Sequence, residues 1–204
     1  IAKSLNLSFK RIQFTPDILP SDITGFSIYN QKTGLFDYKK GIILNNIILA
    51  DEINRTSPKT QASLLEVMEE KQITVDGETY KVPVPFMVLA TQNPVEYLGT
   101  YPLPEAQLDR FTIKVSMGYP SVENESIMLE RFRLDNPIDS LNSVADGDFI
   151  LKLQLDVRNI HVEDRIKDYI VEISDKTRKH ESVTLGASPR ASIDLYRAAQ
   201  ARAF

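Results

Sequence analysis

The sequence predicts an α/β unit built on a parallel sheet and followed by an all-helical unit. Three observations carry this. Ile47-Ile48-Leu49-Ala50 and Phe86-Met87-Val88-Leu89-Ala90 are short apolar runs without polar alternation, the pattern of strands covered by helices on both faces. Each run delivers polar residues at its carboxyl end, Asp51-Glu52 from one and Thr91-Gln92-Asn93 from the other. Beyond Tyr119-Pro120 strand signals cease and helical periodicity takes over, which divides the chain into a core over residues 1–119 and a helical unit over 120–204.

The elements follow in order. Ile1 to Asn6 reads as the last turns of a helix, and Phe9 to Phe14 as a short strand with apolar residues at 9, 12 and 14, punctuated by Thr15-Pro16-Asp17 and Leu19-Pro20-Ser21-Asp22. Gly25 to Gly41 is turn-rich, with Lys32-Thr33-Gly34 between aromatic-bearing pieces, and predicts an exposed hairpin or an irregular insert. Asn45-Asn46 interrupt the next apolar stretch, so the buried strand begins at Ile47. Ser57-Pro58 supplies an N-cap and a first-turn proline for a helix carrying Ala62, Leu65, Met68 and Glu69. Ile73 to Tyr80 alternates around Asp76-Gly77, the signature of a two-residue hairpin. After the strand at Phe86–Ala90, a short helix from Pro104 leads to Arg110, and Ile113–Val115 is expected as a last strand. Helical patterns then cover Glu123–Arg133, Phe149–Leu155, Glu163–Lys179 and Ser188 to the end.

Composition narrows the function classes. With 204 residues, 42% hydrophobic and 25% charged, the chain can bury one sizeable core with a small appended domain. The net charge of -4 advertises no overall basic surface for nucleic acid and leaves only a local patch open. The absence of cysteine removes disulfides, thiolate zinc sites and cysteine nucleophiles together. His161 and His180 are the only histidines, and neither stands beside a nucleophile or a second metal ligand. No apolar run approaches the ~20 residues of a membrane span. The chain opens without Met or a signal peptide and stops in mid-helix, so it reads as cut at both ends.

The chemistry is expected at the carboxyl edge of the sheet, where the ends of the two apolar strands meet a crevice. Phosphoryl transfer to water needs a carboxylate to help hold Mg²⁺ and a second group to orient or deprotonate the water. Asp51 suits the first role and Glu52 the second, while the Asn93 amide is placed to fix the water or touch the terminal phosphate. Taken singly, Asp-Glu and Asn-Pro are common loop starts after a strand; their joint occurrence is the stronger signal. Arg110 follows a short helix whose C-terminus a cation complements. Arg190 follows Ser188-Pro189 and so lies in a first helical turn, where a cation opposes the helix dipole and an anion nearby would remove the conflict.

Five segments, in order, carry a resemblance: Phe14-Thr15-Pro16-Asp17, Leu49-Ala50-Asp51-Glu52-Ile53-Asn54-Arg55, Leu89-Ala90-Thr91-Gln92-Asn93-Pro94, Thr100 to Phe111, and Leu185-Gly186-Ala187-Ser188-Pro189-Arg190-Ala191. They resemble the MoxR family of AAA+ ATPases, and the likeness extends over nearly the whole chain. It implies a P-loop NTPase-like fold, an α/β core of parallel sheet flanked by helices with an all-helical lid. By this similarity Asp51-Glu52 close the Walker B motif, Asn93 is sensor 1, Arg110 is the arginine finger offered to a neighbouring subunit, and Arg190 is sensor 2. Residues 25–41 resemble the helix-2 insert of the clade and 72–82 its pre-sensor-1 hairpin. One departure matters: the 204 residues contain no glycine-rich phosphate loop. Ala2-Lys3-Ser4 lacks the preceding glycine and a strand starts by Phe9, which leaves Lys3 a surface lysine; the resemblance implies that the loop lies just upstream of Ile1.

The resemblance implies ATP and Mg²⁺ as cofactors, a homo-oligomer in the form of a hexameric ring, a cytoplasmic location and a protein client, which in the family includes von Willebrand factor A-domain proteins. Chaperone-like remodelling or metal-cofactor maturation would be the work done. A nucleotide-binding or inactive scaffold is the alternative, acting through the Tyr29 region and the Asp76-Gly77 hairpin. A nucleic-acid motor fits less well, because that hairpin carries Asp76 and Glu78 with only Lys81 as a base.

Overall fold

In the computed structural model, residues 1–93, 99–133 and 136–204 are described. Three parallel strands form the central sheet: β1 (Phe9–Gln13), β4 (Ile47–Asp51) and β7 (Met87–Ala90), in the order β1-β4-β7. Their register aligns the carboxyl ends. Gln13 stands beside Asp51 and Ala50 beside Ala90, so Gln13, Asp51-Glu52 and Thr91 leave the sheet at one edge. Between β1 and β4 run α1 (Pro20–Thr24) and an antiparallel pair, β2 (Gly25–Asn30) with β3 (Leu35–Lys40).

Helix α2 (Pro58–Glu70) starts where the sequence places it, because the Ser57 hydroxyl accepts the Thr60 amide and Pro58 needs no donor partner in the first turn. Its Leu64, Leu65 and Val67 are buried with Phe14, Ile23, Ile43, Ile48 and Ile53 in the main core. β5 (Gln72–Val75) and β6 (Glu78–Lys81) form the hairpin around Asp76-Gly77, both at positive φ. Tyr80 of this hairpin stacks on Tyr38 of β3 with ring centroids 4.3 Å apart, which ties the two hairpins together.

Three sequence expectations are corrected. The two apolar strands are not equally covered: β4, flanked on both sides, buries Ile47, Ile48 and Ala50, whereas β7 lies at the sheet edge and exposes Met87 (47%) and Leu89 (38%). Ile113–Val115 forms no strand. Strand pairing, rather than intrinsic preference, holds three residues extended, and this segment has no ladder partner among the described residues. The start of the chain is a single 3-10 turn at Lys3–Leu5 instead of α-helix, closed by Asn6 at φ +50°. Exposed Lys3 donates to the carbonyls of Ile138 and Asp139 at 2.8 and 2.7 Å, a surface role.

After α3 (Glu105–Leu108) come α4 (Val122–Arg131), α5 (Gly147–Arg158), α6 (Asp164–Lys179) and α7 (Pro189–Ala203). Among the described residues this half buries few side chains, notably Val162, Ile170, Ser174 and Gln200. Polar contacts supplement the packing. Ser192 donates to Ser174 at 2.9 Å, and the Gln200 amide donates to the Ile160 carbonyl at 2.8 Å.

Candidate functional site at the carboxyl edge of the sheet

The last residues of β1, β4 and β7 converge on one network. Both oxygens of Asp51 are engaged: Oδ1 accepts from the Thr91 hydroxyl at 2.6 Å, and Oδ2 accepts from Arg11 Nη2 at 2.5 Å and Nε at 3.1 Å. These donors favour the ionised form, so the Asp51 carboxyl is held below its ordinary value, first by the Thr91 hydrogen bond and then by Arg11. Charge is therefore present in the site at neutral pH.

Glu52 occupies the left-handed region at φ +55°, an uncommon conformation for a non-glycine residue that costs on the order of 1 kcal/mol. Surrounding bonds impose it. The Glu52 amide donates to Thr91 Oγ1 at 2.9 Å, and the Ile53 amide donates to the Thr91 carbonyl at 3.0 Å. Buried Gln61 then donates to the carbonyls of Ile53 and Tyr101 at 3.1 and 2.8 Å, fixing the turn to α2 and to the chain before α3. The Glu52 carboxylate points at neighbours that orient it: Oε2 accepts from Gln13 Nε2 at 2.6 Å and from Arg55 Nη1 at 3.0 Å.

Asn93 is held by Asn54, which is buried. The Asn54 side chain accepts from the Asn93 amide at 3.4 Å and donates to its carbonyl at 3.2 Å, so one amide group grips the backbone in both directions. Asn93 thus stands at the same sheet edge as Asp51 and Glu52, tied by its backbone to Asn54 two residues beyond Glu52.

Arg110 and Arg190 lie elsewhere. Both meet Glu69 in the last turn of α2: Arg110 Nε pairs with Oε2 at 3.1 Å, and Arg190 Nη2 with Oε1. With 13 residues, α2 is about 20 Å long, and Asp51 and Glu52 lie near its opposite end. Arg190 reaches this point through local chemistry. Gly186 presses against Arg178 of α6, the Ala187 amide donates to Thr177 Oγ1, the Ala187 carbonyl accepts from Arg178 Nε, and Ser188 caps α7.

The sequence reading assigned no part to Arg11, Gln13 or Glu69, and none to Thr91 or Asn54 beyond their place in the matched segments. Gln13 and Arg11 had a weak signal as the polar residues at the end of a third strand, whereas nothing local in the sequence links Glu69 to two distant arginines.

Asp51 and Glu52 supply hard oxygen donors, and no cluster of three or more metal-ligating His, Cys, Asp or Glu side chains occurs among the described residues. That donor set fits Mg²⁺, which is commonly held by one or two carboxylates together with water and substrate phosphates. Asp51 would hold it, with Arg11 ceding Oδ2. No helix among the described residues is long and apolar enough to cross a membrane.

Comparison with known proteins agrees with this architecture. Residues 1–113 match the family described as ATPase family associated with various cellular activities (AAA), and residues 175–204 match an AAA lid domain. The chain is 61% identical over 204 residues to the Bacillus subtilis protein named Uncharacterized protein YeaC, covering all of this chain and 63% of that one. It is 44% identical over 211 residues to Chaperone MoxR1 of Mycobacterium tuberculosis, covering 99% of this chain and 55% of the relative. A solved candidate ATPase from Cytophaga hutchinsonii superposes with a TM-score of 0.90 at 44% identity, over 99% of this chain and 64% of that one. The chain therefore spans somewhat over half the length of these relatives. With an AAA match over more than half its residues, this likeness to Chaperone MoxR1 and a parallel-sheet core followed by a lid, the chain belongs to the MoxR family of AAA+ ATPases.

Proposed function

We propose that the chain is the hydrolytic part of a ring-forming MoxR-type ATPase that couples ATP turnover to remodelling of a protein client or to metal-cofactor maturation. The observation that carries the reading is the convergence of ionised Asp51, strained Glu52 and gripped Asn93 at one edge of a parallel sheet. Asp51 holds Mg²⁺, which when bound neutralises charge on the phosphates. Glu52, oriented by Gln13 and Arg55, accepts the proton of the attacking water. The Asn93 side chain positions that water or touches the terminal phosphate. Arg110 completes the site of a neighbouring copy, and Arg190 contributes from the lid. By resemblance the ring is hexameric and cytoplasmic, and a von Willebrand factor A-domain protein is a candidate client.

The test is Glu52→Gln in the full-length protein. Nearly the same shape without the charge should preserve ATP binding and slow turnover by at least about 10²-fold, the lower range for loss of a general base. Turnover at the parent rate would remove Glu52 from this role. A second reading, a nucleotide-binding scaffold without turnover, is favoured by the engagement of both Asp51 oxygens and of Glu52 in the resting network. Hydrolysis absent already in the parent protein would select it.

A further inference from the structure

The β2–β3 hairpin presents a strand edge with no strand laid against it. β2 packs against α1 and β5, which leaves β3 as the outer strand, and among the described residues β3 pairs with β2 alone. Alternate residues of such a strand turn their N–H and C=O groups outward. The hairpin also exposes Phe26, Ile28, Tyr29, Leu35 and Phe36, the last two at 66% and 70%. Its base is nevertheless firmly held. The Tyr38 hydroxyl donates to the Thr24 carbonyl and the Tyr38 ring stacks on Tyr80, so the edge is fixed in place before a partner arrives.

Charge decides what can use this edge. Residues 25–41 carry Lys32, Lys39 and Lys40 against the single carboxylate of Asp37, a formal +2 in a chain of net -4. Asp37 is already engaged, accepting from Asn30 Nδ2 at 2.8 Å, whereas none of the three lysines forms an ion pair among the described residues. Lysine on an exposed edge guards against pairing with unrelated strands. A strand bearing carboxylates meets no such barrier, because it neutralises the lysines as it pairs. We propose that the β3 edge receives an extended acidic segment of a protein client, added as a further strand. Each face of β3 has its apolar residue near the hairpin tip, Leu35 or Phe36, and its lysine near the base, Lys39 or Lys40. The segment it fits therefore carries adjacent acidic residues at one end and adjacent apolar residues at the other. A nucleic-acid strand fits less well, since Asp37 interrupts the basic run and Ile28 and Leu35 offer bases no ring to stack on. The proposal rests on the client-remodelling reading for the source of the segment.

The test is fluorescence anisotropy with the full-length protein at low salt and without nucleotide. The probe is a labelled peptide with paired glutamates, paired threonines, then valine and phenylalanine. Reversing both charges, Lys39→Glu with Lys40→Glu, should weaken binding about tenfold. The same peptide with lysines in place of its glutamates should then prefer the reversed variant to the parent, and that rescue excludes misfolding as the cause of the loss. N-methylation of alternate peptide residues should abolish binding in one phase and spare it in the other, as expected of a strand hydrogen-bonded along one side. Equal binding to parent and reversed variant would overturn the proposal, as would equal loss in both methylation phases. Tighter binding of oligothymidylate than of the peptide would overturn it in favour of nucleic acid. Self-association that disappears in the reversed variant, with no peptide bound by the parent, would overturn it in favour of a second copy. Parent-rate turnover in Glu52→Gln would remove the ATPase reading and leave the edge site standing, whereas absent peptide binding beside an inactive Glu52→Gln would remove the edge site alone.

Discussion

Thr91 sits at the junction of two residues with different work: its hydroxyl donates to Asp51 Oδ1 and its Oγ1 accepts the Glu52 amide. Removing that hydroxyl removes the larger cause of the lowered Asp51 pKa, so Thr91→Val should move it upward toward the ordinary 3.8. The stability consequence has a definite sign. A carboxyl depressed in the folded state stabilises the fold fully above its unfolded value, and that contribution is lost as pH falls through the lower folded value. Parent protein should therefore lose stability more steeply than Thr91→Val on acidification below about pH 4. Side-chain carboxyl NMR titration with denaturant melts at pH 3 and pH 7 measures both; an unchanged Asp51 midpoint would contradict the assignment. At this scale the sequence exposed the acid pair and Asn93, because they end apolar runs. It concealed Arg11 and Gln13, whose proximity to Asp51 and Glu52 depends on the register of β1 against β4.

The β2–β3 hairpin leaves the core through a neck of two glycines. A Cβ on Gly41 would lie 2.1 Å from the Ile23 carbonyl oxygen and 2.3 Å from the Gly25 amide nitrogen, both backbone atoms that cannot swing aside. Gly77, at the tip of the β5–β6 hairpin, has φ +85° and open space around it. Gly41→Ala should thus cost about 2–4 kcal/mol through backbone displacement, against about 1 kcal/mol for Gly77→Ala from its left-handed conformation alone. Urea midpoints at constant m would rank them, and equal losses would show that the neck is not tight. Both hairpins were legible as turn-rich or alternating stretches. The neck was not, since a glycine needed for close approach looks in sequence like one needed for a turn. The failure at Ile113–Val115 has the complementary cause: β-branched residues favour extended backbone, but only a neighbouring strand turns that preference into a ladder.

Across the whole molecule, the helical half from α4 onward depends on its seam with the core more than its helix content suggests. Helices α4 and α5 bury no residue of their own, so apolar packing within this half is thin. Polar ties at the seam carry a correspondingly larger share. Ser188 serves one of them and a helix cap at once, donating to Asp109 of the core and accepting the Ala191 amide as N-cap of α7. Ser188→Ala should remove the cap, worth about 1 kcal/mol, and the seam bond together. Because the main core of Phe14, Ile48, Leu64 and their neighbours lies on the other side of the seam, the loss should stay local. Amide hydrogen exchange separates the cases: the first turn of α7 should exchange about fivefold to tenfold faster in the variant, while the β4 amides keep their parent rates. Asp109→Asn serves as the companion variant, because it retains an oxygen acceptor for Ser188 and should accelerate α7 exchange far less. Equal acceleration in β4 and α7 would mean that core and lid open as one cooperative unit, and the seam would then be a packing surface instead of a hinge.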